Sequence, residues 1–231
     1  MKNKKWKKFE QLTGKCYTNM ITFSGDNKCW QQAFELLKEI VEEERKQNPE
    51  FAAELEKLED DTDYAYDVSG WLDDCLDEMD MRNEHEILLQ MCEDLLDLFG
   101  WPEYTGSDLK MRKIFALLQL GRKEEATRFF EKWIKKESEN ISAASAGIYV
   151  YIDTKEYEKA QKLIDTFIVN PNECGDEDSI IFTAASKFYE KTGNKKAKKQ
   201  IDKALDEYDK YLERYFEEME DKDDDEDLPF N

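Results

Sequence analysis

The sequence predicts an all-α protein built as an α-solenoid of antiparallel helix hairpins, and three observations carry that prediction. A motif recurs: GRKEEATRFFEKW, KEYEKAQKLIDTF and GNKKAKKQIDKAL place Ala126, Ala160 and Ala197 at one position, Phe130, Ile164 and Ile201 four residues on, and Trp133, Phe167 and Ala204 three beyond that. The interval is 34 residues from Ala126 to Ala160 and 37 from Ala160 to Ala197, the period of helix-turn-helix arrays in which each pair buries its apolar face on the next. Elsewhere apolar residues also recur at spacings of three and four, the helical rhythm. With four prolines and nine glycines in 231 residues, the chain contains few breaks.

In chain order, residues 1–25 read as a basic N-terminal arm with a short helix near residues 6–12, followed by the unpatterned KCYTNMITFSGD. Asp26 or Asn27 is the expected N-cap of a helix reaching about Gln47, with Trp30, Ala33, Phe34, Leu37, Ile40 and Val41 in one stripe. Asn48-Pro49 ends it and opens a helix near 50–59 carrying Phe51, Leu55 and Leu58. Beyond the acidic turn EDDTD, a helix near 63–80 turns Ala65, Val68, Trp71, Leu72, Cys75, Leu76 and Met79 inward. After a turn at Arg82-Asn83, a helix over 84–99 sets Leu88, Cys92 and Leu95 in the rhythm of the later copies, with Leu88 lying 38 residues before Ala126. Gly100-Trp101-Pro102 stops it. The clearest repeats fill 107–216: helices 107–119 and 122–137 around Gly121, 141–152 and 156–169 around Thr154-Lys155, and 177–191 and 194–220 around Gly193-Asn194. The expected organisation is one helical-repeat domain over 26–220 and an acidic disordered tail over 221–231.

The net charge of −21 is unevenly spread: +5 over residues 1–28, −20 over 29–108, +2 over 109–216 and −8 over 217–231. An acidic body repels phosphate backbones, so no nucleic acid is expected as a partner. The lysines of the N-terminal arm either meet an anion or simply solubilise the chain. No apolar run is long enough for a membrane span, and MKNKKWKKFEQLTGKC has no apolar segment behind its basic residues, so no secretory signal is read. Five cysteines without paired spacing imply reduced thiols in the cytoplasm, with Cys75 and Cys92 as small core residues.

Catalytic patterns are weak. His85 is the sole histidine. Imidazole-dependent nucleophilic chemistry would have to pass through it, and HEILL lacks the second histidine of a zinc helix, so a solvated residue beside a turn is expected. Asp73/Asp77, Asp74/Glu78 and Glu93/Asp97 share helix faces at i, i+4. A metal-assisted hydrolase using the acidic surface of 60–97 requires Asp73, Asp77, Glu93 and Asp97 to converge; otherwise these groups face water. LTGKCYT has the Gly14-Lys15 of a phosphate loop, but Phe9 replaces its first glycine and Cys16 its Ser or Thr. The tail DKDDDED lacks the glycine and spaced glutamate of a calcium loop. No metal site, cofactor or catalytic residue is read.

Gly121, Ala126, Phe130 and Trp133 together resemble the tetratricopeptide (TPR) pattern of a turn glycine, a small residue five later and large apolar residues at the next +4 and +7. The second copy keeps Tyr157, Ala160, Ile164 and Phe167 but has Lys155 for the glycine, and the third brings Gly193 one residue closer to Ala197. The resemblance covers about 84–205 and implies a right-handed superhelix of about five helical pairs. More distantly, WLDDCLDEM and LLQMCEDLLDLFGW are similar to bacterial cytoplasmic helical-repeat proteins that often carry a SEC-C metal module, whose C-x-C pattern is absent.

TPR-like stacking implies that first helices line a concave groove, which places Met111, Phe115, Leu118, Ile148, Tyr151, Phe182 and Tyr189 there. Either this groove takes an amphipathic helix or apolar peptide, or these residues are ordinary core. Lys187, Lys191, Lys195, Lys196, Lys198 and Lys199 form a basic patch that receives an acidic segment or is a solvated face, with Lys198 pairing to Asp202. The function expected is a non-catalytic scaffold or adaptor for a protein or peptide partner, a basic one given the acidic half. The 201–219 helix, with Ile201, Leu205, Tyr208, Leu212, Tyr215 and Met219 at 3–4 spacing, offers a homodimer contact as an alternative.

Overall fold

The computed structural model describes residues 2–22 and 28–224. Among them are eleven α-helices and no strand, with one isolated parallel bridge between Glu54 and Gly100. The chain divides into two compact units, Met1–Arg122 and Lys123–Asn231. The expected N-caps Asp26 and Asn27, and residues 225–231 of the tail, lie outside the described residues.

The first unit holds α1 (Lys2–Ile21), α2 (Lys28–Arg45), α3 (Glu56–Asp61), α4 (Val68–Met81), α5 (His85–Leu98) and α6 (Ser107–Gln119). The short N-terminal helix is thus a helix of 20 residues packed along α2. Trp6, Phe9, Leu12, Cys16 and Asn19 are buried at helical spacing while the lysines between them stay outside. Trp71 of α4 is the centre of this core: it stacks on Trp30 with centroids 6.1 Å apart and meets the edge of Phe9 at 5.1 Å. Asn19 is satisfied there, because its Oδ1 accepts from Trp30 Nε1 (3.3 Å) and from Arg82 Nη2 (2.8 Å). Arg82 in turn donates to Glu78 at 2.6 Å.

The helix expected over 50–59 forms only from Glu56 to Asp61. Its missing turns have a tertiary cause. The Arg45 guanidinium donates to the carbonyls of Phe51, Ala52 and Leu98, holding 46–55 as a loop in which Ala52 has φ +47°. Likewise α4 starts at Val68 and not at 63, since Asp63 and Tyr64 are left-handed and the Asp67 carboxylate caps the helix by accepting from Gly70 N–H at 3.0 Å.

The second unit holds α7 (Lys123–Lys136), α8 (Ile141–Asp153), α9 (Tyr157–Phe167), α10 (Ser179–Thr192) and α11 (Lys195–Asp224). Consecutive helices pack together, and α8 also packs on α10. The repeat positions Ala126, Phe130, Trp133, Ala160, Ile164, Ile201 and Ala204 are all buried, whereas Phe167 is half-buried and Ala197 partly exposed. Gly147 of α8 lies so close to Phe130 that a Cβ there would sit 2.3 Å from the ring.

The repeat is also written in the backbone. Asn83, Gly121, Lys155 and Gly193 are all left-handed, with φ of +59°, +72°, +64° and +74°. In each case the next residue donates its N–H back five residues: Glu84 to Met79, Arg122 to Leu117, Glu156 to Tyr151 and Asn194 to Tyr189, at 2.8 to 2.9 Å. This is the Schellman closure of a helix end, made four times at intervals of 38, 34 and 38 residues.

Candidate interaction surfaces

The seven first-helix residues separate by burial. Ile148 (0% exposed) and Phe182 (2%) are core, and Tyr151 (8%) and Tyr189 (9%) are buried too, which corrects their placement in an open groove. The reason is visible in α8, where Ala143, Ala144, Ala146, Gly147, Ile148 and Val150 are all buried because α7, α9 and α10 surround it; a helix apolar on every side belongs inside. Tyr151 meets the Phe130 ring edge-on at 5.4 Å, and Tyr189 Oη accepts from Gln161 Nε2 at 3.1 Å. Met111, Phe115 and Leu118, one face of α6 at i, i+4, i+7, remain half-buried.

The basic patch is a mixed surface. Lys187 binds Glu190 at 2.9 Å, a contact that holds the Lys187 ammonium above its ordinary pKa. Lys198 binds Asp202 at 2.6 Å, as the i, i+4 spacing predicted, and Ser186 Oγ donates to the same carboxylate. Partial burial works against ionisation of Asp202, yet these two hydrogen bonds hold it below the usual carboxylate range. Lys191, Lys195, Lys196 and Lys199 are exposed.

The carboxylates of 60–97 do not gather. Among the described residues no three His, Cys, Asp or Glu side chains are placed to hold a metal ion, so the convergence of Asp73, Asp77, Glu93 and Asp97 is absent. They are distributed among cations instead: Asp77 and Asp108 both bind Arg112 at 2.6 Å, Glu93 binds Lys113 at 2.7 Å, and Asp94 binds Lys38. Asp73 is pushed up, first by partial burial and then by its neighbours Asp108, Asp77 and Asp74, with Arg112 opposing. His85 is not solvated as expected: its side chain is 15% exposed, with Nδ1 3.6 Å from Asp80. Cys16 joins Cys75 and Cys92 in the core. Burial pushes the Cys92 thiol up to about 12 and Cys174 to about 11, far from the thiolate a nucleophile needs.

Large apolar side chains exposed together occur at the end of α11, where Tyr211 (51%), Tyr215 (47%), Phe216 (61%) and Met219 (47%) share one face. The same face buries Ile201 and Ala204 where α10 covers it. No protein-family model, curated protein or solved structure matches this chain.

Proposed function

We propose that the protein is a non-catalytic interaction scaffold, a TPR-like α-solenoid that works in the cytoplasm and holds a protein or peptide partner. The observation that carries this reading is the α6 face. Met111, Phe115 and Leu118 retain exposure at the boundary of a stretch whose net charge is −20. A basic amphipathic helix would place its apolar side there and its cations against the surrounding acids, which accelerate encounter more than they deepen affinity. The four identical turns and the packing of α8 on α10 support the repeat class. The five free thiols suit a reducing compartment.

The test is affinity capture from the source cells, comparing the natural chain with Met111→Ala/Phe115→Ala and with Lys191→Ala as a control. Loss of a basic partner from the double variant alone is expected. An unchanged partner set removes the α6 face from the reading.

A further inference from the structure

The packing of α1 on α2 sets two thiols, Cys16 and Cys29, side by side. Lys5 of α1 binds Glu39 (3.1 Å) and Glu43 (2.7 Å) of α2, while near the other end of α1 Asn19 accepts from Trp30 at 3.3 Å. The two helices therefore run antiparallel, and Cys16 lies level with the start of α2. The residues next along each helix, Tyr17 and Trp30, are in edge-on ring contact with centroids 6.2 Å apart. Cys29 itself is within hydrogen-bonding reach of the Cys16 thiol.

The two sulfurs differ in access. Cys16 is 0% exposed, whereas Cys29 is partly open to solvent. Burial first, and then the neighbouring Cys29 thiol, pushes Cys16 up, so it stays protonated and an oxidant arriving from solvent meets Cys29 first. Cys75, the third thiol of this core, is directed elsewhere, with its Sγ 4.0 Å from Met91 Sδ. Among the described residues no three such groups are placed to hold a metal ion. Joining to each other is the chemistry two adjacent thiols offer.

We propose that Cys16 and Cys29 are a reversible redox pair, which a hydroperoxide joins as a disulfide that pins α1 to α2. Cys29 Sγ attacks one peroxide oxygen: an S–O bond forms, the O–O bond breaks, and the second oxygen leaves as water with the thiol proton, so Cys29 becomes a sulfenic acid. Cys16 Sγ then attacks that sulfur. The S–S bond forms, the S–O bond breaks, and the departing hydroxide takes the Cys16 proton as a second water. Two thiols have given up two electrons and the peroxide has accepted them; a dithiol reverses the bridge by exchange. The bridge acts on the fold because α1 carries Trp6, Phe9 and Leu12 into the core, where Phe9 meets Trp71 at 5.1 Å. A tie at Cys16 resists the local opening that would lift this helix away. The inference is independent of the α6 face.

The experiment treats the reduced full chain with hydrogen peroxide, blocks the remaining thiols by alkylation and digests it with trypsin. Cleavage after Lys15, Lys28 and Lys38 puts Cys16 in 16–28 and Cys29 in 29–38, with Cys75 in 58–82. The expected product is 16–28 joined to 29–38 and released by dithiothreitol. Amide exchange in α1 should slow about tenfold or more on oxidation and recover on reduction. Cys29→Ser, a change at a partly exposed position, should keep the circular dichroism of the natural protein, yield no joined peptides and show no slowing. A sulfinic acid at Cys29 with Cys16 left free overturns the proposal, as does a bridge from either cysteine to 58–82. A bridge between 16–28 and 29–38 that leaves exchange in α1 unchanged overturns the pinning.

Discussion

Replacing Gly147 by alanine tests whether the contact between α7 and α8 is set by close packing or by helix propensity, because the two effects oppose each other. Alanine in a helix interior is favoured over glycine by about 1 kcal/mol. Against this, the new Cβ would lie 2.3 Å from Cε2 and Cζ of Phe130 and 2.9 Å from Leu163 Cδ1, where ordinary contact begins at 3.4 Å. The ring must therefore retreat by 1.1 Å. Phe130 is 1% exposed and held edge-on by Tyr151, so it cannot retreat without disturbing that pair. Overpacking of this kind costs about 1–3 kcal/mol, and once the propensity gain is deducted the net loss should be about 0–2 kcal/mol. Urea denaturation followed by circular dichroism measures it, and faster amide exchange in α7 and α8 localises it. In a Phe130→Leu background the clash is relieved, and Gly147→Ala should become neutral or stabilising, a coupling of about 1–3 kcal/mol in a double-mutant cycle. If Gly147→Ala stabilises the natural protein, the close approach is not what fixes this pair.

Three further outcomes follow from particular contacts. Lys155→Gly should stabilise by about 0.5–1 kcal/mol, because the residue is left-handed at φ +64° without the freedom glycine has there; a loss in the same urea titration would contradict this. Asn19→Ala should cost about 2 kcal/mol, since it strips the acceptor from Trp30 Nε1 and Arg82 within a buried site, and an unchanged midpoint would show that water replaces it. Asp73→Asn should raise stability at neutral pH by a few tenths of a kcal/mol. The folded state holds the Asp73 proton more tightly than the unfolded chain, so its destabilising effect is present above the folded pKa, fades as pH falls through it and is gone well below the ordinary carboxylate value of about 4. A benefit from Asp73→Asn that persisted at pH 3 would point to some cause other than charge.

The second helices of the repeat were legible because each carries one apolar stripe that survives as core: Ala126, Phe130 and Trp133 are all buried. The family register placed residues of α8 and α10 in a groove although α8 is apolar all round and its Ile148, like Phe182 of α10, is core. ISAASAGIYVYID itself contains that warning. Helix α1 was hidden by its lysines: Trp6, Phe9, Leu12, Cys16 and Asn19 keep helical spacing, but a polar asparagine ends the stripe and the reading stopped at Leu12. The loop before α3 could not be read locally, because Arg45 fixes it partly by bonding to Leu98, 53 residues away. The left-handed turn at Lys155 was equally invisible, since lysine gives no local sign of that conformation. The face of α6 is legible as i, i+4, i+7, but its exposure depends on which neighbours arrive.

The four Schellman turns also bear on how the chain can change in length. Lys155 and Gly193 have matching backbone conformations and closing hydrogen bonds made wholly from their own preceding five residues. They are therefore equivalent junctions: excising 156–193 joins the end of α8 to the start of α11 with the same local geometry on either side of the cut. A duplicated segment would enter by the same route. Such junctions let a two-helix segment be gained or lost as a unit, without a new turn having to be found each time.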